Sequence, residues 1–309
     1  MKFAIYGAGG VGGYFGARLA AAGEEVHFVA RGAHLEAIRE NGLKVLSPLG
    51  DMLVEPAGAT ADPHKIGPVD VVLVAVKLYD AQAAEAGCHA LIGPRTMVVP
   101  LQNGVGAMDA FAAALGAERV LGGIAYIASH IEAPGVIRHI GTLARLVVGE
   151  ANGAMTPRVE ALWGAFDRAG IDAAISPHIQ VDIWTKFAFL ASFSGVTALT
   201  RLPIGPIRGE PETRALLRDA VSEVVAVARA AGIAVPENLA ERQMKLVDDL
   251  PVDMASSMLH DLEHGKRLEL PWLSGTVLRM GREHGVPTPV HAFFHAALTL
   301  HAKGSAIPS

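Results

Sequence analysis

Short apolar runs alternate with helical repeats through the first half of the chain, and helical repeats alone fill the second. Phe3 to Tyr6 is apolar without polar alternation, the pattern of a strand buried on both faces. Gly12 to Ala22 carries Phe15 and Leu19 at helical spacing, and Gly23 is placed to cap its end. Glu25 to Ala30 predicts a second strand, and Ala33 to Asn41 a short helix. Val69 to Val76 is the strongest strand signal and Thr96 to Leu101 another. Such alternation predicts a parallel, doubly wound sheet. Val136 to Ile140 and Leu143 to Val148, joined by Gly141-Thr142, predict a hairpin closing this half.

Beyond residue 175 no strand pattern is evident. Leu216, Leu217, Ala220, Val221, Val224, Val225 and Ala228 recur at amphipathic helical spacing, with Gly232 and Pro236 beyond them. Further helical patterns cover 237–247, 254–265, 272–284 and 290–302. The expected organisation is an α/β domain over 1–175 and an all-α domain over 176–309, with the boundary near Ser176-Pro177 and a loose tail from Lys303 to Ser309.

Composition narrows the function. Mean hydropathy is +0.34, but the longest apolar stretch, Val181 to Leu199, contains Asp182 and Lys186, so it reads as a buried helix and not a membrane span. A net charge of −5 without any basic run gives no nucleic-acid surface. The single cysteine, Cys88, allows no internal disulfide and reads as a packing residue; the absence of a secretory signal adds to the expectation of a cytoplasmic protein. Apolar helices in the second half admit a homodimer.

The chemistry begins at Gly7-Ala8-Gly9-Gly10-Val11-Gly12, a G-x-G-x-x-G between a buried strand and a helix. Gly7 permits the tight turn, Gly9 leaves room for a pyrophosphate, and Gly12 allows close helix–sheet packing. The helix N-terminus then offers N–H groups to phosphate. This predicts a Rossmann domain. The next strand ends Val29-Ala30-Arg31, where an NAD-specific fold carries an acid. Arg31 suits a 2′-phosphate instead, which points to NADP(H).

Further motifs span both halves: Val76-Lys77, Leu101-Gln102-Asn103-Gly104-Val105, Trp184-Thr185-Lys186, and Ser256-Ser257-Met258-Leu259-His260-Asp261 with Glu269 downstream. With the glycine motif, their order resembles the ketopantoate reductase (2-dehydropantoate 2-reductase) family over essentially the whole chain. The resemblance implies a Rossmann domain followed by a helical domain, and NADPH-dependent reduction of a small 2-oxo acid, with a place in pantothenate biosynthesis. It implies that Lys186 donates the proton, that Lys77, Asn103 and Glu269 contact the cofactor, and that Asn103 and Ser257 meet the substrate. Apart from the resemblance, Lys186 reads as a snorkelling helix-end lysine, Asn103 as a turn former, Lys77 as a surface charge, Glu269 as a solvated glutamate and Ser257 as a helix cap.

The chain also departs from the family. Its ketopantoate enzymes carry asparagines one and two helical turns after the lysine, where this chain has Leu190 and Ser194; a third polar position is Ile204. Leucine and isoleucine cannot hydrogen-bond a substrate hydroxyl, so a substrate less polar than ketopantoate is expected. Two alternatives stand beside this reading: a β-hydroxyacid-type dehydrogenase, and a non-catalytic NADP(H)-sensing protein. The pairs His260/His264 and His291/His295 have helical spacing, but no H-E-x-x-H and no third ligand accompany them, so no metal is expected.

Overall fold

The computed structural model describes residues 1–304; the expected loose tail falls mainly on 305–309, outside the described residues. The chain divides into two compact units, 1–179 and Gln180 onward.

The first unit holds two sheets. Strands β1 (Lys2–Tyr6) and β2 (Glu25–Val29) flank helix α1 (Gly10–Ala21), and α2 (Gly32–Asn41) follows. Next come β3 (Leu43–Leu46), β4 (Met52–Val54), β5 (Gly58–Thr60) and β6 (Val71–Val74). Helix α3 (Ala81–Cys88), strand β7 (Met97–Pro100) and helix α4 (Ala107–Leu115) continue the alternation. The all-parallel sheet has the order β5-β2-β1-β6-β7. All four residues of β6 and of β7 are buried, as strands covered on both faces must be. The chain leaves β1 toward β2 and β5 on one side, then returns to β6 on the other. That reversal opens a crevice at the carboxyl ends of β1 and β6, where this architecture binds ligands. Cys88 is buried in the packing beneath this sheet, and burial pushes its thiol up to about 12.

The second sheet corrects the expected hairpin. Val136 to Gly149 is one strand, β9, not two strands joined at Gly141-Thr142. Its antiparallel partner is β8 (Gly122–Ala133), and Pro134-Gly135 makes the turn, with Gly135 at φ +75°. Residues 141–143 are accommodated as a bulge opposite Ile127 and Ala128. The Gly-Thr pair marked a break in the ladder, which looks in sequence like a break in the strand. Beyond it, α5 (Pro157–Arg168), capped by Thr156, leads to β10 (Asp172–Ile175). Strand β9 pairs in parallel with both β3 and β10, so it ties this sheet together.

The second unit is helical among its described residues. Helix α6 (Ile179–Thr200) is followed by α7 (Ile204–Gly209), α8 (Pro211–Ala230), α9 (Leu239–Asp249), α10 (Ser257–Glu263), α11 (Ser274–Glu283) and α12 (Pro289–Leu298). Arg201, at φ +56°, turns the chain between α6 and α7. Glu223 on α8 accepts the Val290 and His291 N–H groups at the start of α12. His291 itself is buried between the Ser274 hydroxyl and the Ala220 carbonyl, and His264 bonds the His260 carbonyl, so these histidines serve helix packing. Among the described residues, no helix is long and apolar enough to cross a membrane.

Candidate functional site

Three residues must turn the chain from β1 into α1, and the glycines divide the work. Gly7 sits at φ +102°, and a Cβ there would stand 2.8 Å from the Val76 side chain. A Cβ on Gly10 would strike the Ser129 carbonyl of β8, and one on Gly12 would strike the Gly7 carbonyl. Packing therefore demands glycine at all three. Gly9 differs: it caps α1 in extended conformation without a side-chain bond, and a Cβ there would meet nothing within 4 Å. The fold leaves open space at Gly9, beside the free N-terminus of α1, as a phosphate site requires. Between these glycines Ala8 is buried and Val11 half-buried.

Arg31 stands at the carboxyl end of β2 as the N-cap residue of α2, with a largely exposed side chain. One guanidinium nitrogen donates to the Asp80 carboxylate at 2.8 Å. Sequence reasoning missed Asp80, since nothing in its spacing ties it to a residue 49 positions earlier. The Tyr6 hydroxyl belongs to the same cluster; burial pushes its pKa up, Cys88 and Asp80 add to the rise, and Arg31 opposes it.

Half-buried Lys77 precedes the turn that carries Asp80, whose N–H donates to the Lys77 carbonyl. Asn103 lies beyond β7, extended past its end by the Leu101 N–H to Val74 carbonyl bond. Its neighbour Gln102 was missed as well. Both polar atoms of the Gln102 amide are buried without a hydrogen-bond partner. Such a group is costly unless a ligand satisfies it. Open space at Gly9 and an orphaned amide at Gln102 fit a dinucleotide, with phosphates at one end and a carboxamide-bearing ring at the other.

In the helical unit, α6 is apolar on nearly all sides and is packed as a core helix. Trp184, Phe187, Ala188 and Ala191 are buried, and the Trp184 and Phe187 rings meet edge to face with centroids 5.7 Å apart. Lys186 keeps some accessible surface. Its surroundings are nonetheless dense enough that desolvation lowers its pKa to about 8, with the Glu269 carboxylate opposing the fall. Glu269 is itself buried, which separates it from an ordinary solvated glutamate. The structure thus brings together Lys186 and Glu269, 83 positions apart in sequence. Gln243 of α9 donates to the Thr185 carbonyl at 3.3 Å, one residue before the lysine.

The three departing positions differ from one another. Leu190, one turn beyond Lys186 on the same face, keeps accessible surface. Ser194 and Ile204 have none, and the Ser194 hydroxyl finds no partner. Ser257 is exposed at the first turn of α10. The cap is its neighbour Ser256, whose hydroxyl accepts the Leu259 N–H at 3.0 Å and the Thr197 hydroxyl at 2.6 Å. No group of three or more His, Cys, Asp or Glu among the described residues is placed to hold a metal.

Family models cover both units: ketopantoate reductase PanE/ApbA matches residues 3–153, and the ketopantoate reductase PanE/ApbA C-terminal model matches 178–302. A 2-dehydropantoate 2-reductase of Mesorhizobium japonicum is 35% identical, with 94% of each chain covered. The crystal structure of 2-dehydropantoate 2-reductase from Geobacter metallireducens superposes with a TM-score of 0.90 at 33% identity, covering 97% of this chain and 99% of that one. D-mandelate dehydrogenase in ternary complex with NADH and anilino(oxo)acetate shares the fold, with a TM-score of 0.89 over 98% of each chain at 21% identity. A parallel sheet with its glycine turn at the switch point, a helical unit built on a lysine-bearing helix, and matches along nearly the whole chain make this protein an oxidoreductase of the ketopantoate reductase family.

Proposed function

We propose that this protein reduces a small 2-oxo acid to the 2-hydroxy acid, with NADPH as coenzyme and Lys186 as proton donor. The observation that carries the reading is the state of Lys186, whose pKa of about 8 poises it near neutral pH. An acid of that strength is protonated at pH 7 and still gives up its proton readily in the transition state. When bound, NADPH would supply the hydride that the carbonyl carbon needs. Lys186 hydrogen-bonds the carbonyl oxygen, stabilises the charge that develops there, and transfers its proton to it. Glu269 holds the ammonium in its charged form against burial. Asn103 and Gln102 orient the nicotinamide end, Gly9 and the N-terminus of α1 take the pyrophosphate, and Lys77 and Arg31 take the adenosine side. Leu190 lines the substrate position with an apolar surface, which favours a 2-oxo acid less hydroxylated than ketopantoate.

The test is steady-state NADPH oxidation across a panel of 2-oxo acids, repeated with NADH. Turnover of an apolar 2-oxo acid with NADPH, abolished in Lys186→Met, is the expected result. Ketopantoate preferred by orders of magnitude in kcat/KM would reject the substrate assignment, and NADH preferred over NADPH would reject the coenzyme assignment. Coenzyme binding without turnover of any 2-oxo acid would leave the sensing alternative.

A further inference from the structure

We propose that His34 is a positioning residue for the dinucleotide: its imidazole fixes the Ala8–Gly9 peptide so that the Gly9 N–H is aimed at the phosphates. The inference rests on the dinucleotide reading of the glycine loop but assigns a residue outside that motif.

Two backbone groups hold the ring. The Gly135 N–H donates to His34 Nδ1 at 3.0 Å, and Nε2 lies 2.8 Å from the Ala8 carbonyl oxygen. Together they settle the tautomer. A nitrogen that accepts an N–H carries no proton, so the ring proton sits on Nε2 and is donated to Ala8. Burial also favours the neutral ring by lowering its pKa. On its own helix Glu36 pairs with Arg39 and Glu40 is exposed; on the hairpin Glu132 pairs with Arg138 and His130 is half-buried on β8; Lys44 lies on the adjoining β3.

The consequence follows from peptide geometry. In a trans peptide the carbonyl and the next N–H point in opposite directions, and no cis bond occurs here. Drawing the Ala8 carbonyl toward His34 therefore turns the Gly9 N–H away from it. Gly9 is the position where the fold leaves open space. The anchor is rigid at its other end too: Gly135 occupies the β8–β9 turn at φ +75°, and its carbonyl accepts the Lys44 N–H of β3 at 2.9 Å. Through His34, the second sheet of the first unit sets the orientation of the phosphate loop in the first sheet.

The experiment compares dissociation constants for NADPH, by coenzyme fluorescence, in the wild type and in His34→Ala, His34→Gln and His34→Asn, with a thermal melt of each. Glutamine places an amide donor near the Nε2 position and keeps the Ala8 bond. Asparagine reaches only the Nδ1 position and keeps the Gly135 bond. The expected result is affinity within about threefold of wild type for the glutamine variant and about tenfold weaker for the other two, given one lost hydrogen bond. The asparagine variant is to bind more weakly than the glutamine variant even where their melting temperatures agree. Equal affinity in wild type and alanine variant overturns the proposal, as does affinity that tracks melting temperature alone across the set. A wild-type protein that bound neither NADPH nor NADH would overturn the dinucleotide reading itself and this proposal with it.

Discussion

Glu269 opposes the effect of burial on Lys186: burial pulls the lysine pKa down to about 8, and the carboxylate raises it part of the way back. A proton donor must be protonated, so kcat/KM for reduction should be flat below pH 8 and fall about tenfold per unit above it. The reverse oxidation needs the free amine and should rise through the same range. In Glu269→Gln the opposing charge is gone, the lysine pKa falls further, and the alkaline limb moves to lower pH. Lys186→Met should lower kcat by about 10²–10⁴-fold with coenzyme affinity retained. A pH–rate profile of the two variants beside the wild type checks all four statements; a limb unmoved in Glu269→Gln would break the coupling.

If the glycine loop binds the coenzyme as proposed, Gly9 and Gly10 separate binding from folding. Gly9→Ala adds a methyl where the fold has room, so its melting temperature should stay within a few degrees of wild type while NADPH binding drops at least tenfold. Gly10→Ala drives a methyl into the Ser129 backbone and should cost stability by about 1–3 kcal/mol. Calorimetry and coenzyme titration on the pair would show the two effects dissociating. Equal loss of binding and stability in both would mean that Gly9 serves only the turn.

Arg31 is held by Asp80 across an exposed ion pair, which is worth about 0–1 kcal/mol to the fold. Under the proposed coenzyme assignment, its greater effect is on coenzyme choice. Arg31→Ala should weaken NADPH by about 10–100-fold, the worth of charge-assisted hydrogen bonds, and leave NADH nearly unchanged. Asp80→Asn should act the other way, freeing the guanidinium and removing a negative charge from beside the 2′-phosphate. Titration of both coenzymes against both variants measures this, and an NADH affinity that fell with NADPH in Arg31→Ala would count against a 2′-phosphate role.

The parallel sheet, the glycine turn and the lysine helix were legible in the sequence because each depends on local pattern. Buried strands show as apolar runs, and α6 shows its lysine inside an apolar repeat. What escaped depends on distant partners. Asp80 gains meaning from Arg31, His34 from the Ala8 and Gly135 backbone, and Gln102 from the lack of any partner; backbone groups leave no trace in side-chain spacing. The β8–β9 hairpin was misplaced for a related reason. A bulge at 141–143 and a true turn at Pro134-Gly135 carry similar residues, and only the pairing register distinguishes them. Likewise Ser256 and Ser257 are equivalent caps in sequence, and Thr197 selects the first.

His291 gives the fold an acid sensitivity apart from the site. It is fully buried, and burial lowers its pKa to about 4, below the value near 6.5 of an unfolded histidine. The unfolded chain therefore binds a proton first as pH falls. The stability tied to the neutral ring is complete above pH 6.5 and is lost progressively down to about pH 4, on the order of 3 kcal/mol in total. His291→Leu strands the Ser274 hydroxyl and Ala220 carbonyl, so it should be less stable at pH 7 by about 1–3 kcal/mol yet lose less between pH 6.5 and 4. Urea midpoints across that range test it; parallel curves for the two proteins would assign the acid sensitivity elsewhere.

Leu190, Ser194 and Ile204 were expected to share one task, and their burial separates them. Ser194 and Ile204 have no accessible surface, whereas Leu190 keeps some on the face that carries Lys186. A polar group introduced at Leu190 can meet a ligand; one introduced at Ile204 enters the core of the helical unit. Leu190→Asn should therefore raise kcat/KM for ketopantoate by about tenfold or more relative to an apolar 2-oxo acid, since a hydroxyl then finds a partner. Ile204→Asn should cost about 3 kcal/mol or more through lost packing and an unsatisfied amide, with no change in the ratio between the two substrates. Ser194→Ala removes a hydroxyl that is already orphaned and should be neutral or stabilising by about 1 kcal/mol. Substrate ratios and melting temperatures on the three variants decide the matter: a ratio that moved with Ile204 and not with Leu190 would put the selectivity inside the helical core and away from the lysine face.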